Sequence, residues 1–279
     1  MQERPALFQY RLEQLPALLA RWEAHGLDVT EPLRNWSMLT TGRYWVKTEA
    51  GAVPRVHSNA WGTEAEIMED RVVHFWDEFS EALPAILEPV PEPFATWLSS
   101  GVWDRWLHQI QALWRAQNDW ASAKSQSVIS KLIAVNGWRR MRTVDVGYGF
   151  HDSQGNTPVL RFWRVRNTVT LEWQTPPPIE NERPTWVHSF GQQQFSLSPF
   201  LHEVEDFRER LRTEMRGRVR EVAALGRLTQ TQMAVLKWQG GRAFGRLDLP
   251  PRTDWTRVEA TVSELESLFG LGVGQLPSG

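Results

Sequence analysis

The chain has 279 residues, 41% of them hydrophobic, enough to bury a sizeable core in one large domain or two modest ones. Charged residues make up 23% and the formal net charge is −2, so there is no chain-wide basic field to capture a polyanion, and nucleic acid is not the expected partner. The absence of cysteine excludes disulfides, thiolate nucleophiles and cysteine-ligated metal centres, leaving His, carboxylates, hydroxyls and Lys for any chemistry.

The opening MQERPALFQYRLEQLPALL has acids among its first residues and no apolar stretch leading to a small-residue cleavage site. Nowhere do eighteen apolar residues run together, so the expectation is a soluble cytoplasmic protein with no membrane partner. Thr41-Gly42, between NWSML and RYWVKT, predicts a hairpin turn, and PRVHSNAW adds a third strand to an antiparallel meander over residues 34–61. From Asp70 the period changes. Val72, Val73, Phe75, Trp76, Phe79, Leu83, Ile86 and Leu87 recur at three- and four-residue spacing, which predicts an amphipathic helix that kinks or breaks at Pro84 before the rigid EPVPEPF. Residues 94–135 predict two or three further helices.

Residues 138–197 return to strand patterns: WRRMRTVDVGYGF, PVLRFWRV, TVTLEW, TWVHSF and QQFSL. The short Arg166-Asn167 link predicts a hairpin, with Val169, Leu171 and Trp173 on one face of its second strand. Ser198-Pro199 reads as N-cap and first position of a long helix whose stripe is Phe200, Val204, Phe207, Leu211, Met215, Val219 and Val222. A shorter helix over TQTQMAVLKW and a last one from Asp254 to Phe269 follow. The whole reads as α+β, an antiparallel sheet built from N-terminal and central strands with packed helices.

Sixteen tryptophans stand out against three tyrosines. At structural spacing among other apolar residues, indole rings are core before they are a platform, and Trp76 and Trp173 fit that description. Trp163 lies with Val159, Arg161 and Val165 opposite Leu160 and Phe162, so one face of that strand packs on a helix and the other is open to a partner. Trp103 and Trp106, in WLSSGVWDRWLHQIQALW, form with Trp163 the candidate stacking platform for a base or sugar, against the more economical reading of a helix-junction core.

No nucleophile elbow, phosphate loop, HExxH or GxGxxG motif occurs. His74 with Asp77 and Glu78, and His202 with Glu205 and Asp206, place imidazole and carboxylate one helical turn apart and are the candidate metal half-sites, although histidine beside acids on a helix surface is common by chance. The loop DVGYGFHDSQGN offers His151 with Asp145 or Asp152 as candidate acid–base groups, against a polar turn that needs the same residues. Charge is more suggestive. Residues 61–92 hold nine acids, among them Glu64, Glu66, Glu69, Asp70, Asp77, Glu78 and Glu81, against the single Arg71, a net of −8. Residues 104–143 lean the other way, and Arg208, Arg212, Arg216 and Arg220 recur every four residues among interleaved acids. Such patches pair internally, are solvated, or steer an oppositely charged partner.

Taken in order, LFQYRLEQL, LTTGRYWV, LEPVPEPF, the Trp-rich helix, GWRRMRTVDVGYGF, LRFWRVRNTVTLEW and FLHEVEDFRERLRTEMRGRV resemble an uncharacterised bacterial family of unknown function. Its members have a similar T-[TD]-G-x-Y-W hairpin, a Gly-Tyr element, an F-W-R strand and a terminal F-x-x-E-V-x-x-F helix. The likeness spans about residues 6–222 and implies one α+β domain there, in a bacterial cytoplasmic protein. Residues 223–279 then read as a helical extension docked on it. The resemblance transfers no activity and no cofactor to any residue. Trp-rich bacterial families without catalytic motifs look like immunity proteins, an analogy of class. The leading expectation is therefore a non-enzymatic, immunity- or antitoxin-like inhibitor whose acidic segment engages a basic protein. The alternatives are a Trp-lined small-molecule binder or hydrolase using the His and Asp candidates, and a nucleic-acid-associated defence component.

Overall fold

The computed structural model describes residues 6–55, 69–116, 123–146, 157–175, 187, 190–244 and 253–273. In chain order its elements are β1 (Phe8–Leu12), α1 (Leu15–Ala24), α2 (Thr30–Leu33), a 3-10 turn (Met38–Thr40), β2 (Thr41–Thr48), β3 (Gly51–Val53) and β4 (Glu69–Arg71). Four helices follow, α3 (Val72–Leu87), α4 (Phe94–Ser99), α5 (Val102–Ala116) and α6 (Ala123–Arg140). Strands β5 (Thr143–Asp145), β6 (Val159–Val165), β7 (Thr168–Gln174) and β8 (Phe190–Ser196) precede α7 (Leu197–Ala224), α8 (Gln230–Ala243) and α9 (Trp255–Phe269). The fold is α+β, with one four-stranded sheet from N-terminal strands and another from central ones. No helix among the described residues is long and apolar enough to cross a membrane.

The first sheet differs from the expected meander. Thr41 and Gly42 are not a turn but the start of β2, and the residues before them form a 3-10 turn. On one side β2 pairs with β1, thirty or more residues upstream, in antiparallel register Phe8↔Val46 through Leu12↔Gly42, and on the other with β3 and β4. A Cβ at Gly42 would lie 2.3 Å from the Arg11 carbonyl oxygen, so glycine is there for close strand approach. Similarly, α3 runs through Pro84 to Leu87, because a proline in the last turn removes only one of the final backbone bonds. The long helix opens two residues earlier than expected, with Ser196 rather than Ser198 at the N-cap.

The chain forms two compact units. One comprises residues 1–81, 144–162 and 167–248, the other residues 82–143, 163–166 and 249–279, so the segment 223–279 is divided, α8 in the first and α9 in the second. The first unit is centred on Phe8, whose ring meets Phe75, Phe79, Phe162, Phe200 and Phe207 at centroid distances of 5.0–6.4 Å. Helix α7 fastens β1 to this core: Glu203 accepts from the Leu7 N–H at 2.6 Å, and Arg210 donates to the Phe8 carbonyl at 2.8 Å. Buried Arg218, further along, donates to the Glu13 carbonyl at 2.6 Å and to the Leu39 carbonyl at 3.2 Å, fixing the segments that lead into α1 and β2. Two glycines take flat rings against bare backbone. A Cβ at Gly191 would sit 2.2 Å from the Trp173 ring across the β7–β8 ladder, and one at Gly240 would sit 2.3 Å from Trp36.

The second unit is built on tryptophan. Trp103, Trp106, Trp138 and Trp163 are buried with Phe94, Leu98, Ile110, Val258 and Leu265. Arg142 lies between the rings of Trp138 and Trp255, at 5.6 and 5.3 Å from their centroids, and its guanidinium is 2.7 Å from Glu88. Glu88 also accepts from the backbone N–H and the hydroxyl of Thr253, which anchors the approach to α9. The buried cation is thus neutralised and its carboxylate partner satisfied on several sides.

Candidate functional site

Helix α3 turns one face inward because Val72, Val73, Phe75, Trp76 and Phe79 recur at helical spacing and are buried. Asp77, Glu78 and Glu81 consequently point out, all exposed. Strand β5 brings a fourth acid, exposed Asp145, into electrostatic reach of Glu78. The carboxyl of Glu78 is pushed up by partial burial and by repulsion from Asp145 and Glu81. That of Asp77 is pushed up to about 6, first by loss of solvent and then by Glu81 and Glu78. None of the four is in an ion pair among the described residues. The half-buried imidazole of His74, on the same helix, is pulled below its ordinary value by burial and by Arg71, which opposes a second positive charge there.

The remaining acids of the segment divide clearly. Glu88 is paired with Arg142 and hydrogen-bonded by Thr253, whereas Glu92 keeps its charge and accepts from the Thr96 hydroxyl at 2.8 Å. Glu69 and Asp70 are placed by backbone pairing of β4 with Arg43 and Gly42 of β2. Glu64 and Glu66 lie outside the described residues.

Other candidates are not assembled into a site. Trp103 and Trp106 are 0% exposed and Trp163 is 3% exposed, so these rings are core, with no face open for a base or sugar. The period-two reading left one face of β6 open to a partner, but Leu160, Phe162 and Trp163 are all buried. Part of the basic lean of residues 104–143 is spent internally: Arg139 forks onto Asp104, Arg142 pairs with Glu88, and Lys131 lies 3.0 Å from Glu264. His202 is exposed, but its expected co-ligands are engaged elsewhere, Glu205 with Arg208 at 3.2 Å and Asp206 with Arg210 at 2.7 Å. Among the described residues no group of three or more His, Asp or Glu side chains is placed to hold a metal, around His74 and Asp77 or around His202. Of the acid–base candidates Asp145 is described and joins the acidic face; His151 and Asp152 lie outside the described residues.

Sequence reasoning missed the meeting of Asp145 with α3. Asp145 and Glu78 are within electrostatic reach although more than sixty residues separate them in the chain, and no local pattern signals it.

These features define an α+β protein with Asp77, Glu78 and Glu81 on one helix and Asp145 of β5 in electrostatic reach, none of them in an ion pair among the described residues. The chain belongs to a family of unknown function, DUF5984, whose model matches residues 7–261, past residue 222 and into α9. No curated protein and no solved structure matches it.

Proposed function

We propose that this protein is a non-enzymatic bacterial cytoplasmic binding protein, an immunity- or antitoxin-like inhibitor that holds a basic partner protein against the acidic face of α3. The observation that carries this reading is the group Asp77, Glu78, Glu81 and Asp145, exposed, mutually repelling and without ion pairs among the described residues. Many carboxylates elsewhere are paired with arginines, among them Glu88, Asp104, Glu172, Asp206 and Glu209. Like charges kept together destabilise the free protein, and a cationic surface docking on them converts that repulsion into attraction while steering encounter. Glu64, Glu66, Glu69 and Asp70 extend the same charge along the chain. Inhibition by occlusion needs no catalytic group, and no catalytic motif occurs in the sequence.

The alternative of a Trp-lined small-molecule binder or hydrolase turns on His151 with Asp145 or Asp152 or on the His74 and His202 clusters, and the nucleic-acid alternative needs the basic residues of 104–143 to share an exposed face with Trp103 and Trp106, which are buried; neither has an observation of comparable weight. The test is affinity capture of the tagged protein from its native cell extract, followed by assay of the captured protein. A basic protein whose activity is blocked on addition of this chain, and released at high salt, is the expected result. Capture of no basic protein, or of one whose activity is unaffected, overturns the reading.

A further inference from the structure

A cleft of about 390 Å³ lies between α2, with the two residues that follow it, and one side of α8. Three carboxamides line it, and each is held by its oxygen. Gln239 Oε1 accepts from the Trp36 N–H at 3.0 Å, and Asn35 Oδ1 accepts from the Ser37 N–H and hydroxyl at 3.0 and 2.9 Å. Gln232 Oε1 accepts from the Thr229 N–H at 2.8 Å, in the capping box that opens α8. A backbone N–H can only donate, so the orientation of all three amides is fixed and each keeps its NH2 group as a donor. None of these NH2 groups meets an acceptor among the described residues. The charged groups at the cleft cancel, because Arg34 and Glu31 form an exposed ion pair, and it engages only one of the two Glu31 oxygens. Val235, 46% exposed, is the apolar side chain of the lining, and Trp238, 60% exposed, follows it by one helical turn on the same outward face of α8.

We infer that this cleft binds a saccharide, a free hexose or a hexose unit of a longer sugar chain, through the NH2 groups of Asn35, Gln232 and Gln239. With Glu31 and Arg34 both at the cleft, an anion or a cation meets a like charge there. An apolar ligand finds only Val235, and a planar base finds no aromatic ring in the lining to stack on. A pyranose supplies the complementary groups: ring and hydroxyl oxygens that accept from the three amides, hydroxyl protons for the second Glu31 oxygen, and a C–H face for Val235 and the apolar rim that Trp238 continues. Donors already fixed by backbone bonds need no ordering when the ligand arrives, which lowers the entropic cost of binding. The site shares no residue with the acidic face of α3 and does not depend on the partner proposed above.

The experiment is calorimetric titration of the intact protein with glucose, galactose, N-acetylglucosamine and maltose, with succinate and adenine for comparison, repeated on Gln239→Glu, Val235→Arg and Glu81→Gln. Saturable binding of at least one saccharide is expected, tighter than that of succinate or adenine; maltose binding more tightly than glucose points to a sugar chain, and equal binding to a free hexose. Gln239→Glu keeps the oxygen that Trp36 uses and replaces the donor by an acceptor, so it should weaken binding about tenfold, the value for loss of one hydrogen bond. Val235→Arg fills the cleft with a long cationic side chain and should abolish binding. Both variants should melt as the parent does, since Val235 is exposed and the bond to Trp36 is retained, which separates lost binding from lost folding. Glu81→Gln, in the acidic face of α3, should bind saccharide as the parent does, so this site and the protein-partner reading fail separately. No saturable binding of any of the saccharides, succinate or adenine binding as tightly, or undiminished binding by Gln239→Glu or Val235→Arg overturns the inference.

Discussion

Replacing Asp77 with Asn should stabilise the protein near neutral pH and have little effect in acid. In the folded chain the carboxyl is raised from its ordinary 3.8 to about 6, so the folded state binds the proton more tightly than the unfolded state does. The contribution is fully present below about pH 3.8 and is lost as pH rises through about 6. Without screening, a shift from 3.8 to about 6 amounts to about 3 kcal/mol. The side chain is exposed, so water and salt reduce this to about 1 kcal/mol, a difference in melting temperature of about 2–4 °C. The assay is a set of thermal melts of parent and Asp77→Asn from pH 3.5 to 7.5, at low salt and again at high salt. The gap should open between about pH 4 and 6, stay constant above that, and shrink with salt. A gap that does not vary with pH, or a variant that melts lower at pH 7, would refute the like-charge account of this face.

Further expectations follow from the packing. Gly191→Ala drives a methyl into the buried Trp173 ring and should lower stability by about 1–3 kcal/mol, read by melting and by a change in tryptophan emission; an unchanged melting temperature would mean that ring and backbone are not in contact. Glu88→Gln leaves the Arg142 guanidinium buried without its counter-charge and should lower stability by about 3–5 kcal/mol, with loosened protection of the Thr253 amide in hydrogen exchange. Trp103→Ala should lower stability by about 3–5 kcal/mol as a core truncation; a variant that melts like the parent would put Trp103 on the surface instead.

What the sequence made legible is what local periodicity encodes. The stripe of α7, the inward face of α3 and the Arg166-Asn167 hairpin each follow from a repeat of 3.6 or 2 carried by neighbouring residues. The reading failed where pairing is long-range. Thr41-Gly42 carries turn chemistry, yet Gly42 is there because β1 approaches from far upstream, and nothing near residue 41 announces that partner. Both sides of β6 are buried, so alternation could not assign Trp163 to a face. The acidic face was half visible. The charge run named Asp77, Glu78 and Glu81, but composition could not separate them from Glu88, whose fate depends on Arg142 more than fifty residues later, nor add Asp145 to them.

The central claim, that the carboxylates of α3 are held un-neutralised for a cationic partner, is tested most directly by comparing the parent with Asp77→Asn/Glu78→Gln/Glu81→Gln in binding to the captured partner across a series of salt concentrations. The neutral variant should be at least as stable as the parent, yet bind the partner about tenfold or more weakly, with a shallower dependence on salt. Equal affinity and an equal salt slope in the two proteins would contradict the claim.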